Sequence, residues 1–485
     1  MGNFSGPIQR HGICCWRIPK SYRPHMRVDG LIFANDALMR ILRDDQAPEQ
    51  VANVASLPGI QIASIAMPDI HWGYGFPIGG VAATDPKEGG VISPGGVGYD
   101  INCGVRLVRT ALKISDVQKH LHRLMDRLFQ VIPAGVGKTG RYRFDSKEMN
   151  RLLGEGVGWL QERDLASQSD LEHTEAGGYL AGADPMALSD MAIKRGMGQC
   201  GTLGSGNHFL EVQVVDRVVD EKVAKVFGLE KDQIVVMIHS GSRGLGYQVC
   251  DDALDQMRNA PTKYGIELPD RQLLCAPAES PEGKAYIAAM RAAAHFAWCN
   301  RQILMQLTRE AFAEVLGQTW ESMRMSLLYD VCHNIAKLEE HLIDGKKKKV
   351  WVHRKGATRA FPAEHPEIPA AYRQVGQPVI IPGDMGRASW VLVGLPGSME
   401  KTFGTTCHGA GRLLSRTEAT RRSKGRRIDQ ELLARGVLAR CQSLRGLEEE
   451  QPEAYKDVDE VVTTVDEAGL SGRVARLRPI GVVKG

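Results

Sequence analysis

The chain has 485 residues, 43% apolar and 24% charged, with a formal net charge of +4. That is the composition of a water-soluble globular protein with room for a large core or two to three ordinary domains, and it excludes a global field that demands a polyanion. No run approaches the roughly 18 apolar residues of a membrane span, and the N-terminus has no apolar signal segment, so no membrane partner is expected.

Met1-Gly2 is followed by Gly6, where a lipid-acceptor signal requires Ser or Thr. Ten cysteines lie between Cys14 and Cys441 without a framework spacing, which points to reduced thiols and a cytoplasmic protein. In chain order, the apolar periodicity predicts a short helix at 38–43, then strands at 60–66, 80–83 and 104–109. Ser115 is placed to cap a helix through Val117, Leu121, Leu124, Leu128 and Val131 that Pro133 stops, and a helix follows at 186–194. Strands are predicted at 208–215 and 233–238, and the longest helix at 282–315. Further strands follow at 327–331, 350–353 and 378–381, with helices at 430–438 and 458–468. There is no low-complexity linker and no repeat. Candidate functional residues run from 69 to 484, which argues for one interwoven α+β domain over 1–485. It would carry a mixed sheet, helical insertions near 112–200 and 250–325, and a central metal site.

Several predicted strands end at residues suited to chemistry, as is common where a rigid scaffold meets an open loop. Asp100 and Cys103 stand in Gly98-Tyr99-Asp100-Ile101-Asn102-Cys103-Gly104, where flanking glycines permit a tight backbone and both side chains can converge on one ion. A thiolate can bridge two cations, and a carboxylate favours harder metals such as manganese. His208, His239 and His333 share a context: an apolar run, a turn, and an Asn or Ser neighbour such as Asn207 or Asn334. A histidine taken singly is more often structural; the repeated context sets these three apart. Mixed Cys, His and Asp ligands fit zinc or manganese by sequence alone, and a two-metal site suits phosphoryl transfer. His408, in Cys407-His408-Gly409-Ala410-Gly411-Arg412, is a candidate nucleophile at phosphorus, with Arg412 to steady phosphoryl oxygens. Arg243 and Lys355 sit in glycine-bounded turns that suit phosphate, and Asp69 and His71 are candidates for a supporting layer or proton relay. Gly135 to Gly140 matches G-x-G-x-x-G, but no strand precedes it, and the basic runs at 346–349 and 416–427 fit solvated faces.

At these residues the chain resembles the RtcB-type RNA ligases, also called tRNA-splicing ligases. The similarity runs from Trp16-Arg17-Ile18-Pro19-Lys20 to Gly481-Val482-Val483-Lys484-Gly485, with matching motifs at 67–80, 93–104, 201–211, 239–244, 353–362, 382–389 and 407–415. The resemblance implies an enzyme that joins RNA ends bearing a 2′,3′-cyclic phosphate or 3′-phosphate to 5′-hydroxyl ends, using GTP and manganese. It implies that Asp100, Cys103, His208, His239 and His333 hold two Mn2+ ions with Cys103 bridging, and that His408 accepts GMP through a phosphoramidate. It places Asn207 on the nucleotide phosphate and Glu211, Ser389, Tyr455 and Lys484 around the guanosine, with Asp384, Gly409, Ala410, Gly411 and Arg412 in the same nucleotide site. Arg243, Lys355 and Arg412 would meet phosphates or RNA ends. The implied partners are RNA (tRNA halves or other cleaved ends), GTP and an archease-type activator. Asp384 departs from the pattern, since many relatives carry Ser there; so do Arg387 and the extra thiol Cys332. Guanine, RNA and ligation rest on the resemblance alone. Without it, the same ligands fit a metal-dependent phosphodiesterase, or more weakly a non-catalytic RNA-binding module, and Lys484 reads as a frayed terminal lysine.

Overall fold

Two large sheets carry the apolar runs of the chain. The computed structural model describes residues 4–485; Gly2, weighed above as a lipid-acceptor position, lies outside them. The first sheet has seven strands in the order Gln9–Gly12, Cys15–Ile18, Asp29–Phe33, Ala63–His71, Ile78–Thr84, Lys346–Lys355, Asn334–Ile343. All its neighbours are antiparallel except Asp29–Phe33 and Ala63–His71, whose parallel pairing is allowed by a crossover containing the helices Asp36–Leu42 and Ala47–Val54. The second sheet orders Ser326–Cys332, Gly104–Lys113, Gln233–Ser240, Phe209–Val218, Ser471–Lys484, Ser389–Gly394 and Pro378–Ile381, with Leu438–Cys441 parallel to the far end of Ser471–Lys484. Gln233–Ser240 is buried at every position, which is why it reads as a continuous apolar run and not as an alternating one.

The expected helical regions pack together over the second sheet. Leu121–Val131, Ser146–Glu155 and Arg243–Gln256 share one core with the 36-residue helix Pro281–Leu316. That helix starts where Ser280 Oγ accepts the Gly283 N–H and Pro281 takes the first position, and it ends at Gly317 with φ +67°. No helix among the described residues is long and apolar enough to cross a membrane, and all ten cysteines are free.

Local chemistry shifts several expected boundaries. Ser115 caps nothing: the Lys113 N–H is taken by Asp116, and the expected single helix breaks into Ile114–Gln118 and Leu121–Val131. The expected helix at 186–194 is a turn at Pro185–Ala187 followed by Asp190–Gly196, which Ser189 caps. Residues 430–438 stop being helical at Ala434, because Gly436 takes φ +81° and Leu438 already belongs to a strand. The basic run at 346–349 is the return strand of a hairpin whose Asp344-Gly345 turn has both φ positive, as a two-residue hairpin loop requires. Its Lys347 and Lys348 pair with Glu340 and Glu88. The Gly135 to Gly140 segment follows a helix and enters no strand.

One irregularity matters for the site. The ladder between Ala63–His71 and Ile78–Thr84 pairs Ile65 with Val81 and Ala66 with Gly80, then resumes only at His71 with Ile78. Residues 67–70 therefore bulge out of register, and bulges re-aim side chains.

Candidate metal centre and nucleotide cavity

The strand order of the second sheet gathers the candidate ligands. Cys332 pairs with Gly104, Val105 with His239, and His239 with Phe209. Cys103, His208 and His333 each flank one of those paired residues in sequence, so four donors from distant parts of the chain meet at one end of adjacent strands. Cys103 Sγ lies 3.4 Å from His208 Nε2 and 3.3 Å from His239 Nε2. His208 Nε2 is 2.9 Å from Asp100 Oδ2, and His239 Nε2 is 3.3 Å from His333 Nε2. The donors fall into two triads, Cys103/His239/His333 and Asp100/Cys103/His208, with the donor atoms of each within 4.8 Å of one another. Cys103 is common to both.

This donor set suits a pair of divalent cations. Burial pushes the imidazoles of His208, His239 and His333 below the ordinary histidine range, so they are neutral and able to ligate. Burial and the Asp100 charge push the Cys103 thiol up, a shift that a bound cation would reverse. The Nδ1 atoms of His239 and His333 are buried without a hydrogen-bond partner, while their Nε2 atoms face each other and the sulfur. His208 Nδ1 lies 3.1 Å from the Leu203 carbonyl, which orients Nε2 toward Asp100 and Cys103. Gly241 lies under Asp100: a Cβ there would fall 2.3 Å from both carboxylate oxygens. Asn334 ties the centre to its surroundings, donating to the Asp100 carbonyl at 3.1 Å and accepting the Gly356 N–H at 2.8 Å.

Behind the ligands, Arg301 of the long helix donates to the Asn102 and Ser240 carbonyls at 2.8 and 2.9 Å and forms a two-pronged pair with Asp330. One guanidinium thus fixes the backbone beside two candidate ligands, Cys103 and His239.

His408 adjoins this centre, with its ring centroid 4.8 Å from that of His333. Its Nδ1 is 2.6 Å from Asp69 Oδ2, and the same oxygen accepts the His408 and Gly409 N–H groups at 2.9 and 3.2 Å. Burial opposes ionisation of Asp69, but His408 and Lys456 outweigh it and hold the carboxyl below the ordinary range. A carboxylate facing Nδ1 places the ring proton there and leaves Nε2 with a free lone pair. Gly411, at φ +73°, permits this approach, since a Cβ would come within 2.1 Å of the Asp69 carbonyl oxygen. His71 faces the same cavity, its pKa lowered to about 3 by desolvation and by Lys456.

Both histidine groups open into a cavity of about 610 Å3. Asn207, Phe209, Glu211, Asp384, the Gly409 to Arg412 loop, Tyr455 and Lys484 line it. Lys484 is 2% exposed and pairs with Phe209 in the sheet, so it is no frayed terminus. Burial lowers it to about 8 against the pull of Glu450 and Glu211, and raises Glu211 to about 8. Asp384 rises to about 6 for the same reason. Arg412 pairs with Glu450 at 2.8 Å and touches the Tyr455 hydroxyl, which itself donates to Glu450.

Three expected residues stand back from the cavity wall. Ser389 Oγ accepts from Gln213 and from the Gly383 N–H. Arg243 packs on His208 Nδ1 at 3.2 Å, and Lys355 Nζ donates to the Tyr74 and Phe76 carbonyls. Cys332, the extra thiol, is buried beside His333. Phe209, Glu450, Arg301 and Lys456 were not anticipated. A charged residue inside the apolar run Leu327-Leu328-Tyr329-Asp330-Val331 was the one available signal, for the partner of Arg301.

Comparison with known proteins gives a consistent result. The family model described as tRNA-splicing ligase RtcB matches residues 50–485. The tRNA-splicing ligase RtcB of Thermococcus kodakarensis is 56% identical over 479 residues, 99% of each chain. That of Archaeoglobus fulgidus is 54% identical over 483 residues and the full length of both. The RNA-splicing ligase RtcB of Mycobacterium tuberculosis is 53% identical over 438 residues, 90% of this chain and all of its own.

Proposed function

The chain belongs to the RtcB family of tRNA-splicing ligases and is an RNA ligase; from that premise we propose that it seals RNA ends bearing a 2′,3′-cyclic phosphate or 3′-phosphate to 5′-hydroxyl ends, with GTP as co-substrate and His408 as the residue that carries GMP. The observation that supports this reading is the placement of His408 between a carboxylate on Nδ1 and a cavity that holds donors for both cations and a nucleotide.

Two manganese ions held by Asp100, Cys103, His208, His239 and His333 would neutralise charge on phosphoryl oxygens. His408 Nε2 attacks the α-phosphorus of GTP; a P–N bond forms, and the bond to pyrophosphate breaks. Asp69 retains the Nδ1 proton and stabilises the cationic imidazole that develops. Phe209 and Tyr455 offer faces for the base, Glu211 accepts its N–H groups, and Lys484 donates. Asn207 and Arg412 meet phosphate oxygens. A cyclic end is first hydrolysed, water adding at phosphorus as the bond to the 2′-oxygen breaks; the RNA 3′-phosphate then takes GMP, the P–N bond breaks and His408 is restored. Attack of the 5′-hydroxyl on the activated phosphate expels GMP and joins the strands. The RNA is a pair of tRNA halves or another cleaved pair of ends, and binding weakens with salt as backbone contacts do.

Incubation with α-labelled GTP and manganese, followed by a denaturing gel, tests the reading. An acid-labile, base-stable labelled band is expected, and His408→Ala abolishes it. A band that persists in His408→Ala rules out this nucleophile.

A further inference from the structure

Lys456 lies behind the bulge that presents Asp69. Because residues 67–70 leave the ladder, the Pro68 and Ile70 carbonyls on either side of Asp69 lack strand partners. Lys456 Nζ donates to both, at 3.1 Å to Pro68 and by a short bond to Ile70. The side chain is 2% exposed, and no carboxylate among the described residues forms an ion pair with it. An ammonium buried with only neutral oxygens around it is costly, and burial indeed lowers it to about 8, opposed by Asp69 and more weakly by Asp45. A merely apolar filler would avoid that cost.

The ionisable groups facing Asp69 are few. Cys407 approaches from the end of the strand Thr405–Cys407, His408 from the glycine loop that follows it, and His71 from its own strand. Lys456 approaches from the segment preceding the helix Val458–Glu467. Lys456 is also fixed at its backbone, where its N–H donates to the Gly411 carbonyl at 2.9 Å and its own carbonyl accepts from Arg387. It therefore joins three parts of the site: the Asp69 bulge, the His408 loop and, through Tyr455, the nucleotide wall.

We propose that Lys456 is a positioning residue of the guanylylation step: it clamps the bulge by its two free carbonyls and holds a fixed positive charge behind Asp69, so that Asp69 keeps His408 in the tautomer whose Nε2 is free. This rests on the reading of His408 as the GMP acceptor. It concerns a residue that touches neither nucleotide nor phosphate, and its effect runs through Asp69.

The test uses the full-length protein and three variants, Lys456→Met, Lys456→Gln and Lys456→Arg. Met removes charge and donor. Gln keeps a donor without charge, and serves as the comparison if Met does not fold. Arg keeps the cation. The first readout is the 15N spectrum of the His408 ring in metal-free, histidine-labelled protein, assigned with His408→Ala. Wild type and Lys456→Arg are expected to show a protonated Nδ1 and a bare Nε2, and Met or Gln a shift toward the Nε2–H form. The second is the rate of labelled-GMP transfer to the protein at saturating GTP. It should fall at least tenfold in Met or Gln with KM for GTP within twofold, and recover to within threefold of wild type in Arg. A Met or Gln variant whose His408 tautomer is unchanged, or whose rate stays within twofold, overturns the proposal. Label on His408→Ala would instead overturn the nucleophile reading beneath it.

Discussion

Asp69 concentrates three N–H contacts on one carboxylate oxygen, and two of them come from the backbone of the loop that bears His408. Asp69→Asn would offer an amide group in place of that oxygen and destroy the tautomer preference. Single-turnover labelling with GTP should fall about 10^2- to 10^4-fold, the range seen when an orienting carboxylate is lost. Glu211 makes an opposite kind of prediction, about stability. Its carboxyl is raised to about 8 by burial, so the folded protein keeps a proton that the unfolded chain releases above about 4.3. The stability it contributes is complete below the unfolded value and is lost as pH rises through about 8. Glu211→Gln cannot ionise; its melting temperature should gain on wild type between pH 5 and 9 while its affinity for GTP collapses. Parallel melting curves for the two proteins would contradict this. These roles were unevenly legible in the sequence. Asp69, Asp100 and the histidines stood beside glycine turns, whereas Glu450 sits in a run of three glutamates indistinguishable from a solvated face, and Lys484 gains its role only from the strand that buries it.

At the scale of elements, the candidate metal donors are held from behind by the helix Pro281–Leu316. Arg301 binds the carbonyls of Asn102 and Ser240 and pairs with Asp330, all without exposure to solvent. Truncating one partner of such a pair leaves a buried charge, at about 3–5 kcal/mol. Arg301→Ala should lose stability of that order in urea denaturation and bind manganese more weakly than wild type, although no atom of Arg301 is a ligand. Unchanged metal affinity would confine Arg301 to a structural role. The helix itself was visible in the sequence because its apolar positions repeat over ten turns. Helices near 114–131 and 186–196 were misjudged at their ends, because competing caps at Asp116 and Ser189 decide where they break. The strand Ser389–Gly394 and the whole of Ser471–Lys484 escaped notice: arginines interrupt the second, and its ladder is interrupted by bulges at 476–477 and 479–481.

Across the whole molecule, the five candidate metal donors, from Asp100 to His333, and the adjoining His408 are gathered from segments more than 300 residues apart in sequence. Ions bound there would tie four strands together, so metal occupancy should report on global stability. Manganese at a hundred times its dissociation constant should stabilise by about 2.7 kcal/mol, and chelator should reverse the gain. Cys103→Ala, which removes the donor common to both triads, should abolish the manganese-dependent rise in melting temperature measured by scanning calorimetry. The mixed α+β class could be read from the alternation of short apolar runs and long helices; the pairing of strands that creates the site could not, because register across a sheet is written in partners hundreds of residues away. The second sheet carries one more consequence. Its strand Ser471–Lys484 lies between Phe209–Val218 and Ser389–Gly394, with neighbours on both sides, and it delivers Lys484 to the cavity. During ribosomal synthesis this strand emerges after every other strand of that sheet. The strands that carry the candidate metal donors can pair early, but the sheet stays divided until the intervening strand arrives. The order of translation thus sets an order of assembly: a nascent chain gathers its candidate metal donors well before Lys484 completes the cavity wall.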